Sequence, residues 1–410
     1  DFEKKSLIPI KSASGSWLID FEGKKYLDIT SSWWVNLFGH NNKTIKSYIN
    51  KQLNNLEHSM IAGMTHEPVV NLSEQLNKIT GLGHWFYGSD GSNAIEIALK
   101  MSVHFWREKG LPQKNKIVYL QNSYHGETLG ALSVTDLAIF RKHYSQLMKS
   151  HIQVSSPDLR LKKDDESIKE FTLNKIKELE ELFENKSDVI SSLILEPLVQ
   201  CASGMGIYNK LYLKEARRLC NEYNIHLIAD EIAVGFGRTG KLFAHQHTNI
   251  KPDFLCLSKG LTGGYLPLSV SLTKKHIFKA FYHNEKERGF LHCHSYTGNP
   301  LACSAALGTL SIFKNKDVLG NNKKKAKKIN ALFENHKNLP IHNFRNLGMI
   351  WAFELDNQVD IEKVIQSFLK QGVFIRPINR TFYFMPPYSI NSAEMSHMIK
   401  VSEQSIKSNV

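Results

Sequence analysis

No apolar run in the sequence approaches the roughly twenty residues needed to cross a bilayer as a helix, so a membrane-spanning role is not expected. Cysteine is scarce. Cys201, Cys220, Cys256, Cys293 and Cys303 stand far apart, are odd in number and form no CxxC pair. That excludes a disulfide framework and, with no secretory leader in view, predicts reduced thiols in a cytoplasmic protein. Metal-ligand spacing is missing as well. His292-Cys293-His294 is the one candidate, and no second ligand pair supports it, so no metal is expected. Acidic residues are outnumbered, 39 against 52 basic ones, for a formal net charge of +13. Such a surplus raises the question of an acidic partner. The lysines are scattered, however. Their densest run, Lys323-Lys324-Lys325-Ala326-Lys327-Lys328, falls in a helical pattern with Ala326, Ile329, Leu332 and Phe333 on one face. It reads as a solvated helix face, and no nucleic-acid partner is expected.

What remains is a globular chain. Its 410 residues, 42% hydrophobic and 22% charged, are enough for a large core and more than one domain. Ser16-Trp17-Leu18-Ile19-Asp20 and Lys25-Tyr26-Leu27-Asp28-Ile29 alternate around Glu22-Gly23, a hairpin signal. Next come Trp33 and Trp34, adjacent in a stretch read as extended. There they point different ways, so at least one is exposed or lines a pocket. Residues 43–80 read as two helices, with Pro68 in the first turn of the second. The runs at 84–87, 117–120, 192–195, 225–229 and 254–257 are short and apolar, alternate with helical patterns, and predict a mostly parallel sheet in an α/β fold. After about residue 315 a smaller α+β unit is expected, with helices over 318–336 and 360–371 and strands at 349–354, 373–376 and 381–384. The predicted division is 1–45 and 315–410 in the small unit, around a large unit at 46–314.

The apolar runs end in chemistry. Glu196 follows one, Asp230 the next, and Ser258-Lys259 the third. Ligands of open α/β sheets sit outside the carboxyl ends of the strands. A lysine there can form a Schiff base with pyridoxal phosphate, and an acid can hold the pyridine nitrogen protonated. On spacing alone, Lys259 is equally a solvated residue and Asp230 an N-cap. Gly88-Ser89-Asp90-Gly91-Ser92 opens a helix and offers free N–H groups, a phosphate cradle in the right context or a plain N-cap otherwise. Tyr124 lies in a loop after a strand, where an aromatic ring can stack on a flat cofactor. Arg376 ends an apolar run and can take a carboxylate bidentately, or form a surface ion pair.

Taken together, ADEIAVGFGRTGKLFAHQH, DFLCLSKGLTGGYLPLSVSLT, SSWWVNLFGHN, YHGETLGALSV, LEPLVQ, SYTGNPLACSAA and IRPINRTFYFMPPY resemble the class III (subgroup II) aminotransferases of fold type I, over about residues 14–400. The resemblance implies a pyridoxal 5'-phosphate enzyme. Lys259 would be its Schiff-base lysine and proton shuttle, and Asp230 the partner of the pyridine nitrogen. Gly91 and Ser92 would bind the phosphate, with His294 and Ser295 donated by a neighbouring subunit of a homodimer. Tyr124 would lie against the ring. Trp33, Trp34, Arg238, Cys293, Arg376 and Tyr383 would line the substrate pocket. The tryptophan pair and Ile375-Arg376-Pro377 are closer to the branch that aminates 8-amino-7-oxononanoate from S-adenosylmethionine than to ornithine or acetylornithine enzymes. An ω-amino-acid or diamine transaminase is the alternative. Three departures stand out: Cys293 where glycine is usual, Glu127 for a common aspartate, and no counterpart of an HPYT-like segment between Asp1 and the first hairpin, which leaves the amino donor open.

Overall fold

The five apolar runs all lie in one seven-stranded sheet of the computed structural model, which describes residues 7–334 and 338–409. The order is His84–Gly88, Ser269–Thr273, Phe254–Leu257, His226–Asp230, Ile190–Leu195, Lys116–Leu120 and Ile152–Val154. Ser269–Thr273 runs antiparallel to both neighbours. The remaining pairings are parallel. Alternation of side chains along each strand buries both faces. Ile194, Ile228 and Phe254 pack under helix Gly91–Glu108. Leu193, Leu195 and Leu227 pack under helices Ile168–Lys186 and Lys210–Glu222. Double burial is why these strands read as unbroken apolar runs.

Helix boundaries follow local chemistry. Ser167 and Glu170 close a capping box on Ile168–Lys186. Asn299 caps Pro300–Asn315, and Pro68 sits in the first turn of Glu67–Thr80. Asp90 caps Gly91–Glu108 by accepting from Asn93 N at 3.0 Å.

The first and last parts of the chain share a sheet. Ile10–Ser14, Trp17–Asp20 and Lys25–Asp28 form an antiparallel meander, and Val373–Phe374 adds in parallel to Lys25–Asp28. Beside it, Ile341–Leu347, Ile350–Leu355 and Thr381–Phe384 make a three-stranded antiparallel sheet. One expectation needs correction. The stretch holding Trp33 and Trp34 is not extended: Ser31, Ser32, Trp33 and Trp34 all have positive φ, between 46° and 71°. The helix expected to 336 is described over Val318–Phe333; residues 335–337 lie outside the described residues. No helix among the described residues is long and apolar enough to cross a membrane.

Candidate active site

Asp230 is the last residue of its strand and stands in register with Cys256 of the next. Lys259 follows just beyond that second strand, so both side chains leave the sheet at the same rim. Lys259 has φ +41°, a left-handed conformation that a non-glycine residue keeps only where its surroundings impose it. Burial pulls its amine below the ordinary lysine range, against the opposing charges of Asp230 and Glu196. Part of the side chain stays reachable from outside. Its Nζ lies 4.3 Å from the centre of the Trp34 ring.

His125, which the sequence reading passed over, holds the acid. Its Nδ1 is 2.7 Å from Asp230 Oδ2, and both side chains are buried. Ile232 N donates to the other oxygen at 3.1 Å. The only signal for His125 was its place directly after Tyr124 in a loop at a strand end. Glu196 was also undervalued. It receives Tyr124 N at 3.2 Å and Cys201 N at 3.0 Å, and burial, reinforced by the Asp230 charge, pushes its carboxyl up to about 8. The Tyr124 hydroxyl donates to Glu127 Oε1 at 2.8 Å, so the glutamate in place of an aspartate orients the ring.

The Gly91–Ser92 turn meets these loops. A Cβ on Gly91 would stand 3.1 Å from the Ile232 side chain, one on Gly126 would collide with Ser92 Oγ, and Glu127 N donates to that same oxygen at 3.4 Å. The first turn of a helix leaves N–H groups without helical partners, and here they face the loops that carry Asp230 and Tyr124.

The tryptophans complete the rim. Trp34 is 4% exposed and meets Tyr383 edge-on at 6.1 Å, while Trp33 is 58% exposed and lies 4.7 Å from the Arg376 guanidinium carbon. Burial pushes the Tyr383 hydroxyl up to about 12. The left-handed turn costs roughly 1–2 kcal/mol per residue, so it persists only where neighbours hold it. One of them is Gly264 (φ +86°), where a Cβ would stand 3.0 Å from Val35 C and from Asn36 N.

Arg238 does not open onto this rim as expected. It is 1% exposed, and its guanidinium donates to the carbonyls of Pro386 (2.8 Å), Asn36 (3.1 Å), Trp34 and Met385 (both 3.4 Å). Its two terminal nitrogens fasten the Trp34 segment to the 385–386 segment, while its Nε, also buried, has no hydrogen-bond partner among the described residues. Cys293 and Ser295 are exposed, and the described contacts of His294 are with Thr297, the His292 ring and the Cys293 thiol, which donates to its carbonyl at 3.5 Å. None of these three is brought to Lys259 by a contact within the described chain.

Comparison with known proteins agrees with this geometry. The family Aminotransferase class-III matches residues 2–406. Adenosylmethionine-8-amino-7-oxononanoate aminotransferase of Helicobacter pylori is 44% identical over 403 residues, covering 96% of this chain and 90% of the relative. The protein of that name from Staphylococcus aureus is 36% identical, covering 99% and 93%. Among solved structures, the enzyme of that name from Methanocaldococcus jannaschii superposes with a TM-score of 0.92 at 33% identity, covering 99% of this chain and 94% of that one. A PLP-bound amine transaminase from an uncultivated Pseudomonas species gives 0.94 at 28%, covering 100% and 96%. The chain therefore belongs to the class-III aminotransferases and is an α/β enzyme of their fold type.

Proposed function

We propose that the protein moves an amino group from S-adenosylmethionine to 8-amino-7-oxononanoate, giving 7,8-diaminononanoate on the way to biotin, with pyridoxal 5'-phosphate as its cofactor. One juxtaposition carries the reading: the Lys259 amine under Trp34, beside Asp230, with the Trp33–Arg376 pair at the same rim. The 44% identity to the Helicobacter pylori enzyme supports the choice of substrates.

The donor set fits the cofactor. There is an amine held below its ordinary pKa, a buried carboxylate fixed by His125, and a helix N-terminus at Gly91–Ser92. Bound there, the cofactor supplies an electron sink for breaking a bond at the amino-bearing carbon. Lys259 would hold it through Nζ, and the same amine is the group placed to carry a proton during the transfer. Its lowered pKa suits that task. Asp230 would hold the ring nitrogen protonated, and the His125 hydrogen bond keeps Asp230 aimed. Gly91 and Ser92 would bind the phosphate, and Tyr124 would lie against the ring. Arg376 takes the acceptor's carboxylate beside Trp33 and Tyr383. Arg238 acts as a positioning residue behind Trp34.

We further propose a cytoplasmic homodimer, with residues 1–45 and 315–410 as the small domain and 46–314 as the large one. His294 and Ser295 of the partner subunit then reach the phosphate, with Cys293 close to substrate. Tyr282, Leu291 and Tyr296 are 81%, 76% and 66% exposed, an apolar stretch of the kind a partner covers. The test is a donor–acceptor panel on purified protein. Formation of 7,8-diaminononanoate with S-adenosylmethionine is expected. Turnover with lysine or ornithine alone, or with simple amines as in the Pseudomonas relative, would defeat the assignment.

A further inference from the structure

Four consecutive non-glycine residues, Ser31 to Trp34, hold φ of 52°, 46°, 69° and 71°. L-residues avoid a run of this kind. Among the groups that hold it is one carboxylate. Asp28 Oδ1 accepts from Thr30 N (3.3 Å), Thr30 Oγ1 (3.1 Å) and Ser32 N (3.0 Å). Its Oδ2 accepts from Ser32 Oγ (2.7 Å) and His40 Nε2 (3.1 Å). The side chain has no exposed surface. His40 is itself anchored, its N–H donating to Gly15 O at 2.7 Å and its carbonyl accepting from Gly15 N at 3.0 Å.

Asp28 also faces the other half of the rim. It is the register partner of Phe374, and Arg376 lies two positions further along that segment. The strand pair that seats the carboxylate therefore also seats the arginine. Ser31 Oγ donates to Met385 O at 2.6 Å and Met385 N to Ile29 O at 2.8 Å, which locks the two segments side by side.

We propose that Asp28, backed by His40, is a positioning residue that sets specificity for a carboxylate-bearing acceptor. It holds the left-handed turn so that Trp33 stays against Arg376. This rests on the reading of Arg376 given under Proposed function. Loosening the turn leaves the reacting end of the site in place, since Trp34 is separately held by Arg238 and Tyr383. It frees Trp33, and Arg376 then loses its stacked partner.

The test compares 8-amino-7-oxononanoate with the analogous ketone lacking its carboxylate, using holoenzyme. Asp28→Asn keeps the size of the side chain and removes the charge. The ratio of kcat/KM between the two acceptors is expected to fall at least tenfold, through KM of the carboxylated one, with kcat within threefold of wild type. Ser32→Ala removes a single hydroxyl and is expected to move the ratio in the same direction by a few-fold. It decides the matter if Asp28→Asn does not fold. Equal losses on both acceptors, or an unchanged ratio in the folded variants, would overturn the proposal. A wild-type enzyme that fails to aminate the acid would instead remove the functional reading, and this inference with it.

Discussion

Gly264→Ala tests whether the tryptophan turn really packs on the loop that carries the lysine. The added Cβ would stand 3.0 Å from Asn36 N and Val35 C and 3.1 Å from Asn36 Cα. All three are backbone atoms, so no side chain can swing aside. At φ +86° an alanine adds strain of roughly 1–2 kcal/mol, and overpacking adds about 1–3 kcal/mol. The sum, about 2–5 kcal/mol, should lower the melting temperature by several degrees in a chain of this size. Relief comes from shifting residues 35–36 outward, which draws Trp34 away from Lys259. A drop in kcat of about tenfold is therefore expected, equivalent to about 1.4 kcal/mol in the barrier. Calorimetry of the holoenzyme and initial rates at saturating substrates provide the two readouts. A variant with wild-type melting temperature and wild-type kcat would refute the packing argument, because backbone atoms 3.0 Å from a new Cβ have to give way.

Three further outcomes are expected. Arg376→Ala should raise the acceptor KM about 10- to 150-fold, the value of a charged hydrogen-bond pair at roughly 1.5–3 kcal/mol. Arg376→Lys should recover only part of this, because a single ammonium cannot reproduce the two-pronged contact; an unchanged KM would place the carboxylate elsewhere. At the opposite end of the sheet, burial works against ionisation of Asp253, but Arg217 and Lys274 outweigh it and hold the carboxyl at about 2. A depressed carboxylate stabilises the fold above its unfolded pKa, so this contribution of about 2 kcal/mol is present above about pH 4 and lost towards pH 2. Urea midpoints should therefore fall more steeply for wild type than for Asp253→Asn over that window, and parallel curves would contradict the assignment. Tyr296→Asp should split the dimer and weaken cofactor retention, as read by sedimentation and by bound-cofactor absorbance. An intact, cofactor-loaded dimer would show that this loop is not at the interface.

The parts of the fold legible in the sequence were those buried on both faces. Leu193–Leu195, Leu227–Ala229 and Phe254–Leu257 are uninterrupted apolar runs because helices cover them from both sides. Ser269–Thr273 lies in the same sheet but was not foreseen, since Ser269, Ser271 and Thr273 break its pattern. Two of those hydroxyls are satisfied inside, Ser271 on Ala94 O and Thr273 on Asp253 O. The helix Ser392–Lys407 was missed as well, its apolar residues being diluted by serines that are themselves partly buried. In the site, the strand-terminal position of Asp230 and Lys259 was readable because it follows from topology. The turn at Ser31–Trp34 was not. Its conformation is imposed from outside by Asp28, Met385 and Gly264, all remote from local propensity. Arg238 illustrates the same limit: its motif marks the neighbourhood correctly, but only packing reveals that its terminal nitrogens are already used on backbone carbonyls.

The central claim is that the amine at position 259 carries the cofactor while the acid at 230 faces the same ring. Borohydride reduction of the holoenzyme followed by peptide mapping by mass spectrometry tests it most directly. A single pyridoxyl-phosphate adduct on the peptide containing Lys259, absent from Lys259→Ala, is the expected result. An adduct on another lysine, or an equally labelled Lys259→Ala variant, would contradict it.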